Sequence, residues 1–108
     1  MINISALEDM FEGDEAIIKE LFSLYLNENA CIIQKIRLEY DSDNLTALYN
    51  TAHTLSGALG NLFEIDITSQ IKEIERLSKS DTKPDAEIIE SVISELKNIS
   101  DQMNQYLS

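Results

Sequence analysis

A chain of 108 residues with 44% hydrophobic content has enough apolar material for one compact domain with a modest core, assigned to residues 1–108. Its 8 Lys and Arg face 20 Asp and Glu, a net charge of −12 at pH 7 that opposes phosphate backbones and anionic bilayers and so excludes nucleic acid and membrane as partners. Three glycines and one proline are too few for a turn-rich β protein or a flexible linker.

The start, Met1-Ile2-Asn3-Ile4-Ser5, lacks the basic and apolar segments of a secretory signal. No apolar run approaches the roughly 20 residues that span a bilayer. Cys31 is the single cysteine, so no intrachain disulfide is possible, and it is expected to pack as a small hydrophobe. These features point to the cytoplasm.

Ser5 followed by Glu8 matches a capping box, in which both side chains satisfy backbone donors at a helix start. Ile4, Leu7, Met10 and Phe11 give that helix one apolar side, Gly13 ends it, and Asp14 caps the next. So short an amphipathic helix cannot stand alone and is expected to lie as a lid on a larger bundle.

From Glu15 to Tyr40 a long helical pattern runs through Ile18, Leu21, Phe22, Tyr25, Ile32, Ile33, Ile36 and Tyr40. Asn29 interrupts it, and Lys19, Glu20, Asn27, Glu28, Lys35 and Glu39 fall largely outside the apolar face. The cluster Asp41-Ser42-Asp43-Asn44 then breaks the pattern and offers caps for the next helix.

That next helix covers Asn44 to Leu62 and carries the only histidine. Leu45, Leu48, Ala52, Leu55, Leu59 and Leu62 alternate steps of three and four and form its core stripe. A second stripe runs through Thr46, Asn50, His53, Gly57 and Gly60, with Ser56 beside it. A mid-helix glycine costs about 1 kcal/mol relative to alanine. Two on one exposed line imply that something large must approach the imidazole.

The helix is expected to fade between Gly60 and Phe63, with a connection through Glu64, Ile65 and Asp66. A third long pattern follows at Ile67, Ile71, Ile74 and Leu77. Ser78 to Lys83 reads as a polar connection, and Pro84 suits the first turn of the last helix, where its missing N–H is not needed. Ile89, Val92, Leu96, Ile99, Met103 and Tyr106 carry that helix to the end. Four long amphipathic helices on short loops pack most simply as an all-α, antiparallel up-down four-helix bundle with a short N-terminal lid helix. Its core uses all the apolar stripes, which favours a monomer.

A lone histidine is usually an ordinary boundary residue, but His53 sits off the leucine stripe with its exposed side kept clear by Gly57. Imidazole is nucleophilic near neutral pH and can attack phosphorus without a separate base. Other chemistries lack their parts. A di-metal bundle needs two Glu-x-x-His units, and cysteine–histidine zinc sites need more ligands than one of each. Ser56 has no nucleophile elbow around it, and no glycine-rich phosphate loop exists for ATP. No metal or cofactor is expected on the chain.

The run Ala52-His53-Thr54-Leu55-Ser56-Gly57 resembles the His-x-Leu-Lys-Gly signature of the histidine-containing phosphotransfer (HPt) domain family. Asn61-Leu62 is similar to the Asn-Leu that often follows, while Phe63 stands where the family has glycine. Ile67, Ile71 and Ile74 match later apolar positions, and Glu75 matches a Gln or Glu.

The resemblance implies a phosphorelay intermediate without kinase activity of its own. His53 would take a phosphoryl group through Nε2 from a response-regulator receiver aspartate, within or downstream of a hybrid sensor histidine kinase. It would then pass the group to another receiver, with Mg²⁺ brought by the receiver. Glu75 would accept from Nδ1–H, or else be an ordinary solvated residue or form an ion pair with Lys79. The family lysine is Ser56 here, so Lys72 or Lys79 would have to supply the cation, with Lys79 favoured by the resemblance. Asn50, Gly60 and Lys72 are assigned to partner binding. The alternative is a non-transferring adaptor that binds a receiver or kinase with a vestigial His53.

Overall fold

A computed structural model of the protein describes residues 1–62 and 66–108. Among the described residues six helices follow in order: α1 (Ile4–Met10), α2 (Glu15–Glu28), α3 (Ile32–Asp41), α4 (Leu45–Gly60), α5 (Asp66–Lys79) and α6 (Ala86–Leu107). No strand occurs among the described residues, and none of the described helices is long and apolar enough to cross a membrane.

α2 and α3 together form the first arm of the four-membered bundle, with α4, α5 and α6 as the others. α4 lies along α5 through its most extensive packing, α3 flanks α4 on the other side, and α6 joins α5 to α2. The core is one cluster. Ile18 and Phe22 of α2, Ile36 of α3, Leu48, Leu55 and Leu59 of α4, Ile67, Ile71 and Ile74 of α5, and Val92, Leu96, Ile99 and Met103 of α6 are all buried. These are the three-four stripes read from the sequence, and their burial supplies the main stabilisation, since fully burying such a side chain contributes roughly 1.5–3 kcal/mol. Phe22 meets Tyr106 edge-to-face at 5.3 Å between centroids. Burial pushes the Tyr25 phenol up to about 12.

Several local expectations are corrected. The pattern from Glu15 to Tyr40 is two helices, not one. At Asn29 the side-chain amide donates to the Tyr25 carbonyl at 3.0 Å and the backbone leaves the helical region at φ −115°, ψ 24°. An asparagine that bonds its own preceding turn offers the backbone an alternative to helix, and the chain resumes at Ile32. Cys31, at that break, is exposed rather than packed. Glu39 is buried rather than outside the apolar face, and its Oε2 accepts from Thr51 Oγ1 of α4 at 3.1 Å.

At the N-terminus the cap is Asn3, whose Oδ1 accepts from the Ala6 amide at 3.0 Å, and Ser5 lies inside the helix. Gln102 of α6 selects this start, because its amide donates to the Ile2 carbonyl at 2.9 Å and accepts from the Ile2 amide at 2.8 Å. α1 thus rests on the bundle as a lid, with Leu7 buried and Met10 exposed. Gly13, at φ +76°, makes the turn out of α1, and Asp14 caps α2 through the Ala16 and Ile17 amides. Asn44 caps α4. Pro84 lies ahead of the Asp85 cap rather than in the first turn of α6. Its carbonyl accepts from Tyr40 Oη at 2.7 Å, which ties the α5–α6 loop to α3.

α4 ends at Gly60, within the expected range, and Asp66 opens α5 rather than closing the loop. Phe63, the departure from the family glycine, and the connection through Glu64 and Ile65 lie outside the described residues.

Candidate functional site: an exposed imidazole between α4 and α5

His53 sits midway along α4 with its side chain 67% exposed. The leucine stripe of the same helix is buried against α5, and this sets the imidazole at the rim of the α4–α5 seam. There Nδ1 meets Glu75 Oε1 of α5 in a hydrogen bond. A carboxylate can only accept, so the ring donates through Nδ1–H and its lone pair is left on Nε2. Glu75 is 19% exposed against the histidine's 67%, so the acceptor is held in the seam while the ring projects from it.

The imidazole opens onto a shallow recess of about 430 Å³ lined by His53, Ser56, Gly57, Gly60, Asn61, Thr68, Lys72 and Glu75. Both glycines have ordinary helical backbone, since the positive-φ glycine among the described residues is Gly13. A Cβ added at Gly57 or at Gly60 would meet nothing within 4 Å. Neither conformation nor packing inside the chain therefore calls for glycine, and what these positions provide is open space beside a nucleophilic ring.

The residues singled out from the sequence divide into three groups. His53, Ser56, Gly57, Gly60, Lys72 and Glu75 come together at this recess. Ser56 is buried in its floor rather than standing beside the ring at the surface. Asn50 lines a different recess, on the α3 side of α4, with Cys31, Lys35, Glu39 and Thr54. Lys79 ends α5 at the surface and is not among the lining residues of the His53 recess, whereas Lys72 is.

Three further residues belong to the site, of which only Asn61 had been named from the sequence, as a family match and not as a site residue. Asn61 and Thr68 line the recess. Tyr49 stacks on the imidazole, with ring centroids 5.9 Å apart and planes inclined by 14°. The signal for Tyr49 was available, because residues four apart on a helix are surface neighbours. Among the described residues no cluster of three or more His, Cys, Asp and Glu is arranged to hold a metal ion.

The arrangement is thus an imidazole bonded at Nδ1, with a largely exposed side chain and open space over the neighbouring glycines. Comparison with curated proteins and with solved structures finds no match. The family model of the Hpt domain matches residues 20–106, which include His53, Glu75 and the helices that bring them together, and the chain therefore belongs to the Hpt domain family, the histidine phosphotransfer modules of phosphorelays.

Proposed function

We propose that His53 is the phosphoacceptor and that this chain carries a phosphoryl group between two receiver domains, taking it from that of a hybrid sensor kinase and giving it to that of a response regulator. The observation that carries the reading is the bond from Nδ1–H of His53 to Glu75, which leaves Nε2 as the nucleophile at the open side of the ring.

Nε2 donates its lone pair to the phosphorus of an aspartyl phosphate, and the bond from phosphorus to the aspartate oxygen breaks, with its electron pair leaving on the carboxylate. The imidazole keeps its Nδ1 proton and gains positive charge, which the Glu75 carboxylate offsets. Transfer onward is the reverse step on a second aspartate. Transfer of this kind depends on positioning and electrostatics, and the receiver supplies Mg²⁺. This chain supplies the oriented ring, the space over Gly57 and Gly60, and Lys72 as the cation that Ser56 cannot provide. The proposed actor is a monomer in the cytoplasm, where phosphorelay receivers work.

Incubation with phosphorylated receivers tests this directly. Wild type should acquire acid-labile, base-stable phosphate, and His53→Gln should fold normally, retain receiver binding and acquire none. Receiver binding by wild type without any labelling would instead make the chain an adaptor.

A further inference from the structure

Tyr49 lies one turn before His53 on α4, half-buried, with its ring nearly parallel to the imidazole at 5.9 Å. Glu75 approaches in hydrogen-bonding contact at Nδ1, so the ring is held at one edge by a carboxylate and on one face by a phenol. The two contacts differ in what they can do. The carboxylate bond fixes rotation of the ring and its tautomer. The aromatic face, which carries negative potential, attracts a cation placed over it. Neutral imidazole gains little from that face, but the ring of an imidazole phosphorylated on Nε2 with Nδ1–H retained bears positive charge, the negative charge lying on the phosphoryl oxygens.

We propose that Tyr49 is a positioning residue for the phosphoryl chemistry of His53, holding the imidazole by its face and stabilising the positive charge that the ring acquires as Nε2 bonds to phosphorus. This rests on His53 being the phosphoacceptor, and it adds a second, charge-selective support that a packing role alone would not give. Tyr49 is also set differently from the glycines. They keep the approach to the ring open, whereas Tyr49 covers one face and leaves the in-plane Nε2 lone pair unobstructed by itself.

The test uses phosphoramidate, a small donor that needs no receiver. Nε2 bonds to phosphorus, the phosphorus–nitrogen bond of the donor breaks, and ammonia leaves. The initial loading rate of the full chain, followed by ³¹P resonance, is compared for wild type, Tyr49→Phe, Tyr49→Leu and a chain with pentafluorophenylalanine at position 49. Phenylalanine keeps the negative face, leucine keeps bulk without a face, and the fluorinated ring keeps the shape but reverses the face potential.

Loading should be unchanged for phenylalanine and slowed roughly two- to fivefold for leucine and the fluorinated ring, the range given by exposed cation–π contacts. Equal rates for the phenylalanine and fluorinated chains would overturn the inference, because only face charge separates them. If wild type loads with this pattern from phosphoramidate but never from a receiver, the relay reading fails while the role of Tyr49 stands. Failure of wild type to load at all overturns both.

Discussion

The two flanks of α4 carry recesses of similar size and unlike chemistry. On the α5 side, about 430 Å³ is bordered by His53, two glycines, Lys72 and Glu75. On the α3 side, about 490 Å³ is bordered by Asn50, Thr54 and Ala58 of α4 with Cys31, Lys35 and Glu39. The second is the larger and also holds a carboxylate and a lysine, yet its Glu39 is bonded to Thr51, a hydroxyl with no basic group to act on. On the first, the carboxylate faces an imidazole and so selects a tautomer. The comparison teaches that volume does not locate the chemistry of this domain. What sets the α5 flank apart is an acceptor on one helix bonded to the imidazole of the next, the arrangement on which the proposed function rests.

Glu75→Gln should produce the largest effect on this contrast. Glutamine keeps the volume and an acceptor oxygen but turns a charge-assisted bond into a neutral one, so phosphoryl transfer to His53 should slow by roughly tenfold with the fold intact. Stopped-flow transfer from a phosphorylated receiver measures this. An unchanged rate would mean that the ring is oriented without Glu75.

The lysines separate the flanks more gently. Lys72→Ala should slow transfer by about two- to fivefold, as expected for an exposed charge near a phosphoryl group, and the difference should shrink as salt is raised. Lys35→Ala, on the α3 flank, should leave the rate as it was. Lys79→Ala tests the position favoured by the family resemblance, and an effect exceeding that of Lys72→Ala would relocate the cation to the end of α5.

A neighbouring pair on α4 should give the smallest change, read from denaturant midpoints. Gly57→Ala adds a Cβ into open space and removes a helix-interior glycine, so it should raise folding stability by about 0.5–1 kcal/mol. Ala58→Gly, half-buried at the other recess, should lower it by about as much or more. Loss of stability in Gly57→Ala would show that the glycine serves packing and not access.

Much of the site was legible because α4 obeys one period. The core stripe through Leu48, Leu55 and Leu59 placed His53 off the core, and Gly57 and Gly60 marked the open line. Glu75 came from the family resemblance and not from spacing, since no local rule connects residues 22 positions apart. Asn50 and Ser56 show where periodicity stops. At about 100° per residue each lies roughly 60° around α4 from His53, on opposite sides. They were grouped together in the sequence, but α3 flanks one and α5 the other.

The choice between Lys72 and Lys79 has the same origin. Both are about one turn from Glu75, and which of them borders the imidazole depends on how α5 is rotated and tilted against α4, quantities set by the packing of Ile67, Ile71 and Ile74. The sequence by itself determined the helical class, the inward faces of the helices and the place of the lone imidazole off the core, because hydrophobic period and side-chain chemistry are local properties. Only the tertiary structure decided the burial of Glu39, the bond of Glu75 to Nδ1 rather than to Lys79, and the phenol on the imidazole face, because each depends on which surfaces meet once the helices have packed.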